Sequence, residues 1–186
     1  MAVEKPDVEL LSLTAAGDQG AFARLVRQHQ GRVLNLAYRF SRNRQDAEDL
    51  AQEVFLRVWR YAGSFRGEAA FGTWLYRLAV NVCLNHRLRK KKRPEPLPLP
   101  EDLESGTEAA EAGSEARQRE NLLIQAMAAL PARQKMALVL VSFEDKSYEE
   151  IAAAMEVSVP AVESLLFRAR KNLAEILRPL RKKGEM

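Results

Sequence analysis

Residues 147–173, SYEEIAAAMEVSVPAVESLLFRARKNL, spell two short helices joined by a tight turn. Ser147 followed three residues later by Glu150 is a capping box: the hydroxyl accepts from the Glu150 amide and the carboxylate reaches back to the Ser147 amide. Ile151, Ala152 and Met155 then give a short apolar stripe. Ser158 stands as a second N-cap, and Pro160 falls in the first turn, where a missing N–H costs little. At about 100° per residue, Val162, Leu165, Leu166, Ala169 and Leu173 share one side of the second helix. Ser158 and Ala161 open that helix, and Ser164, Phe167, Arg168 and Lys171 take its other side. A helix that buries one face and offers hydroxyl, guanidinium and ammonium groups from the other is built like a DNA-recognition helix. Taken alone, the stretch is equally an ordinary amphipathic hairpin with a solvated face.

The rest of the chain narrows the choice. Its 186 residues suffice for one medium domain or two small ones, and 47% hydrophobic content supports a real core. A net charge of +4 permits a nucleic-acid partner without demanding one. Cys83 is the single cysteine, so no intrachain disulfide forms and no all-cysteine metal site exists. The opening MAVEKPDVELL is acidic, with no apolar signal segment, and no run is long and uncharged enough to insert in a bilayer. The expectation is a cytoplasmic protein.

From Asp7 to about Phe40 the apolar residues recur at helical spacing, with a break between Gly17 and Gly20. Ser41 to Arg44 reads as a turn, and a helix is expected to start at Asp46, with acids in its first turn where the macrodipole favours them. Ala47, Leu50, Ala51, Val54, Phe55 and Val58 form its inward arc. Asp49, Gln52, Glu53 and Leu56 face outward, and a leucine among carboxylates hints at a partner surface. The glycines of Gly63-Ser-Phe-Arg-Gly-Glu allow a sharp redirection before a third helix, Phe71 to Arg93. On it, Trp74, Arg77, Asn81 and Asn85 make one ridge, a row that can stack on bases and bond their edges. Arg87, Arg89, Lys90, Lys91, Lys92 and Arg93 continue the row as a cluster suited to phosphates.

At Pro94 the composition changes. PEPLPLPEDLESGTEAAEAGSE mixes proline, glycine, serine and acids without periodicity, as a flexible linker does. The reading is therefore all-α: a helical domain over 1–93, a flexible acidic linker over 94–118, and a second helical domain over 119–186. In the last of these, Leu122 to Leu130 forms a helix closed by Pro131, and another follows through Val141. ALVLVSF is the one β-like run, and its flanks read helical.

DAEDLAQEVFLRVW, FRGEAAFGTWLYRLAVNVCLNHRL and SYEEIAAAMEVSVPAVESLLFRARKNL, in this order around an acidic linker, resemble a bacterial sigma factor. The likeness is to the extracytoplasmic-function group, RpoE-like, with regions 2 and 4 only. The resemblance covers nearly the whole chain and implies a subunit that binds core RNA polymerase, directs it to promoter DNA and helps open the duplex, without being an enzyme. It implies docking of Asp49, Gln52, Glu53 and Leu56 on the β′ clamp helices, and of the second domain on the β flap. Phe65, Arg66, Gly67 and Glu68 match the loop that captures an unstacked base of the minus-ten element. Arg77, Asn81 and Asn85 match the helix contacting that element, with Arg87, Arg89 and Lys90 on phosphates. Ser158, Ala161, Ser164, Phe167, Arg168 and Lys171 match the helix reading the minus-thirty-five element. Glu163, Leu165 and Pro160 depart from the usual pattern, which implies an altered minus-thirty-five preference. The linker would thread the polymerase RNA channel. An anti-sigma factor, often membrane-bound in this family, is the implied regulator.

Rival readings fit less of the chain. A plain helix–turn–helix regulator leaves the first domain without a purpose. An enzyme lacks a nucleophile–base pair or a phosphate-cradling loop. A protein-only adaptor leaves the basic cluster and Arg168 unexplained. Cys83 and His86 at i, i+3 are half a metal site at most, better read as core packing. No cofactor and no metal is called for.

Overall fold

Asp7 and Glu9 occupy the first turn of α1 (Asp7–Ala15), where carboxylates meet the unsatisfied amides of a helix start. Gly17 then takes φ +94, a left-handed conformation that glycine adopts without steric cost. Asp18 caps α2 (Gln19–Ser41), its carboxylate accepting from the Ala21 amide at 3.0 Å. Arg42, at φ 58, closes α2, and Asn43 caps α3 (Arg44–Tyr61) by accepting from the Asp46 amide at 2.8 Å. The helix expected from Asp46 thus begins two residues earlier. The asparagine side chain, not the acid run, sets the start. A 3₁₀ turn (Ala62–Ser64) leads toward α4 (Phe71–Lys92).

The structure, a computed structural model, describes residues 6–92 and 122–182; the expected linker over 94–118 lies outside them. The chain continues with α5 (122–129), α6 (Ala132–Phe143), α7 (Tyr148–Met155) and α8 (Val159–Lys182). Among the described residues every regular element is helical. ALVLVSF belongs to α6: Ala137, Leu138, Val139 and Leu140 are all buried. A helix that is apolar around its circumference is one packed on several sides, so the β-like composition loses to tertiary packing.

In the first half α2 packs against α1, α3 and α4, and α3 against α4; in the second, α6 and α7 pack on α8. Leu25, Leu36, Phe40, Val54 and Val58 fill the first core, and Met136, Leu140, Ile151 and Leu166 the second. Each such side chain, fully withdrawn from water, contributes about 1.5–3 kcal/mol. The two cores also join. α4 rests on α6 and α7, and α2 rests on α6, so the buried residues of both halves form one connected cluster. The two helical groups therefore share an interface.

Candidate nucleic-acid interface

The hairpin of α7 and α8 is held as its sequence requires. The Glu150 amide donates to Ser147 Oγ at 3.2 Å, and the Ser147 amide donates to Glu150 Oε2 at 2.9 Å. Lys146 Nζ lies 2.6 Å from Glu150 Oε1, and this hydrogen bond holds the carboxyl below its ordinary range. The turn passes through Glu156 in the left-handed region at φ 53, and α8 begins directly after Ser158. Asn172 Nδ2 bonds Gln134 Oε1 at 2.8 Å, tying α8 to α6.

On α8, Val162, Leu166 and Ala169 are buried, and Leu165 and Leu173 half-buried. Ser158, Ser164, Phe167, Arg168 and Lys171 are exposed, Phe167 by 69%, and Ala161 is half-buried at the helix start. Arg168 Nε donates to the Ser164 carbonyl at 3.1 Å, which lays the guanidinium along the helix with its remaining N–H groups available. An exposed phenyl ring between a hydroxyl and two cations can meet a thymine methyl while its neighbours bond base edges or phosphates. Glu163 is exposed as well.

On α3, Asp49, Gln52 and Leu56 are exposed, Leu56 by 59%. Glu53 is half-buried and accepts from Arg57 Nε at 2.8 Å. The outward acidic face with a leucine in it is therefore present, with one carboxylate already engaged by its own helix.

Before α4, Phe65 is half-buried and meets Trp74 edge-on, ring centroids 5.5 Å apart. Gly67 takes φ +72, where a side chain would strain the backbone, and Arg66 and Glu68 are exposed beside it. The loop is thus pinned at one end by an aromatic contact and free at its tip. Trp74 also lies 6.0 Å from Phe71, so it joins the loop to the helix and is half-buried in doing so.

The α4 ridge holds a finding that periodicity did not foresee. Arg77 Nε lies 3.0 Å from Glu156 Oε1, and Asn81 Nδ2 donates to Glu156 Oε2 at 3.4 Å. Arg87 donates to the Ala128 carbonyl at 2.6 Å. Asn85 is exposed. Arg89 and Lys90 lie on the helix with their side chains outside the description, and Arg93 lies beyond it. Next to the ridge, Tyr76 Oη donates to Glu144 Oε2 at 2.7 Å, and Arg39 donates to Glu144 Oε1 at 2.6 Å and to the Phe143 carbonyl. Burial first, and then the Glu144 carboxylate, raises the Tyr76 phenol well above its ordinary range. Arg39, Tyr76 and Glu144 were not among the residues expected to matter. They are far apart in the chain, and no local pattern announces such a pairing.

Cys83 is buried, and burial pushes its thiol up to about 12, which fits a packing role. His86 Nε2 is 3.7 Å from Asp46 Oδ1, an ion-pair distance beyond hydrogen-bond reach. Among the described residues no helix is long and apolar enough to cross a membrane.

Two family models match the chain. Residues 25–93 match the family model for Sigma-70 region 2, and residues 120–173 the model for Sigma-70, region 4. The RNA polymerase sigma-H factor of Pseudomonas aeruginosa is 36% identical over 97% of this chain and 98% of its own. The ECF RNA polymerase sigma-E factor of Escherichia coli is 34% identical over the same shares. Among solved structures, CnrH in complex with the cytosolic domain of CnrY aligns with a TM-score of 0.65 at 25% identity, covering 93% of this chain and 97% of that one. The sigma factor RpoE of Bartonella quintana, solved with the anti-sigma factor NepR, shares the fold at a TM-score of 0.61 and 22% identity, over 84% of this chain and 96% of that one.

Proposed function

The chain belongs to the extracytoplasmic-function group of RNA polymerase sigma factors, and from that premise we propose how its surfaces share the work of starting transcription. The domain over 1–93 docks on core polymerase through Asp49, Gln52, Glu53 and Leu56 of α3. Its loop Phe65–Glu68 and the α4 row Arg77, Asn81 and Asn85 hold the unpaired strand of the minus-ten element. Arg87, Arg89 and Lys90 lie against phosphates. The domain over 119–186 reads the minus-thirty-five duplex with the outward side of α8 while seated on the β flap, and the linker over 94–118 joins the two. The chain acts in the cytoplasm as an initiation factor and performs no catalysis of its own.

The observation that carries this reading is the two-sidedness of α8. Val162, Leu166 and Ala169 are buried, while Ser164, Phe167, Arg168 and Lys171 are exposed. A bidentate arginine–guanine pair in that position discriminates by about 1–3 kcal/mol. Regulation by an anti-sigma factor belongs to the proposal, supported by the capture of the similar CnrH with a protein partner. Reconstitution with core polymerase and mapping of transcript 5′ ends on genomic DNA tests the whole. The expected result is a small set of discrete starts with a shared upstream sequence. Starts scattered as with core polymerase alone would overturn it.

A further inference from the structure

We propose that the outward face of α2 is a phosphate track, which receives the backbone of the unpaired strand where it leaves the loop Phe65–Glu68. The proposal rests on the reading of that loop and the α4 row as the minus-ten contact, and adds a surface on a different helix. At about 100° per residue, Arg24, Arg27, Gln28, Gly31, Arg32 and Asn35 share one side of α2, away from the buried Val33, Ala37 and Phe40. All six are exposed. The helix carries four arginines, Arg24, Arg27, Arg32 and Arg39, and no acid in its 23 residues. Arg39 is taken by Glu144, whereas among the described residues no carboxylate pairs with the other three. A helix face this cationic, left unneutralised by its own chain, attracts an anion from outside.

Gly31 points to the kind of anion. It lies mid-helix, where glycine weakens the helix, and a Cβ there would meet nothing within 4 Å. No contact inside the chain needs the glycine. Its bare backbone among Arg27, Gln28 and Asn35 lets a sugar–phosphate chain lie against the helix while guanidinium and amide groups bond its oxygens. A protein partner is best held by an aromatic or aliphatic anchor at the centre of a face. Here the centre is glycine, and Leu34 stands only at the margin, 38% exposed.

Position points to the unpaired strand. His29, on the flank of α2, meets the Phe71 ring at 5.1 Å; Phe71 lies 6.0 Å from Trp74, and Trp74 5.5 Å from Phe65. A chain of ring contacts thus joins α2 to the loop. Burial and Glu144 raise the Tyr76 phenol of α4, and the Arg32 charge works against them from α2. Arg32 therefore stands at the border of the α4 row. Arg24 lies about 12 Å further along the helix, a length that spans about three phosphates of one strand.

The test uses the full chain reconstituted with core polymerase. The probe is a non-template-strand oligonucleotide from a promoter found by transcript mapping, spanning the minus-ten element and both its flanks. Fluorescence anisotropy across a KCl series gives the affinity and its salt slope. R24A/R27A/R32A should bind about tenfold more weakly at low salt, with a log–log slope shallower by about 2, three contacts at about 0.7 each. Gly31→Leu, which puts a side chain where the strand backbone would lie, should also bind more weakly, with a melting temperature no lower than the parent's. Both variants should bind core polymerase as the parent does in competition, and match the parent on a strand trimmed to the minus-ten element. Either variant as tight as the parent on the long strand, while Arg77→Ala is weakened, overturns the proposal and leaves the reading of α4 standing. A loss equally large on the trimmed strand overturns it too. Weakened binding of the triple variant to core polymerase does the same and gives the face to a protein partner. Arg77→Ala as tight as the parent overturns the reading of α4, and the proposal with it.

Discussion

Replacing Lys135 by methionine should stabilise the protein, and by an amount that depends on pH. The ammonium is buried, with no hydrogen-bond partner, beside the Phe40 ring. Burial first, then the guanidinium charges of Arg87 and Arg42, lowers its pKa from 10.5 to about 8. At about 1.36 kcal/mol per pH unit, keeping the amine charged in the folded chain costs about 3 kcal/mol at pH 7. The folded form loses its proton from about pH 8 while the unfolded form keeps it to about 10.5, so stability rises with pH between those values. At pH 9 about 2 kcal/mol of the cost remains. Methionine keeps the length and apolar contact of the stem and carries no charge. Lys135→Met is therefore expected to be about 3 kcal/mol more stable than the parent at pH 7 and about 2 kcal/mol more stable at pH 9.

Urea unfolding followed by tryptophan fluorescence measures both. Cys83, raised from 9.0 to about 12, acts in the opposite sense, since its contribution is lost as pH climbs above 9. It is common to parent and variant and cancels in their difference. A variant less stable than the parent at pH 7, or an advantage identical at both pH values, would refute the reasoning.

Three further outcomes follow from named contacts. Ser147→Ala removes the capping box of α7 and should cost about 1 kcal/mol, read as a lower melting temperature of the full chain. Leu56→Arg places a charge at the most outward apolar point of α3 and should weaken binding to core polymerase at least tenfold in a competition assay, with the melting temperature unchanged. Arg168→Ala should lose about 1–3 kcal/mol of promoter affinity in the holoenzyme and relax preference at one upstream position, measured by footprinting across promoter variants.

Much of this architecture could be read from the chain. The capping box at Ser147 and Glu150, the buried arc of α8 and the outward Leu56 are local matters of spacing, and spacing survives folding. The start of α3 is less legible, because the acids at Asp46 and beyond resemble a first turn while Asn43 three residues earlier does the capping. What stayed hidden was the interface. Periodicity says which face of α4 or α6 turns inward; it does not say against what. Glu144 and Glu156 look like solvated acids in a helix–turn–helix, and Lys135 like a surface cation on α6. Only their distant partners Arg39, Tyr76, Arg77 and Phe40 give them meaning. Trp74, placed from sequence on the α4 ridge, is half-buried against the Phe65 ring.

The central claim is that this chain makes polymerase open promoters, and permanganate reactivity of unpaired thymines tests it most directly. On a promoter found by transcript mapping, the account predicts reactive thymines just upstream of the start only when chain and core polymerase are both present. Arg77→Ala should diminish them. Thymines equally reactive with core polymerase alone, or unreactive with the two together, would contradict it.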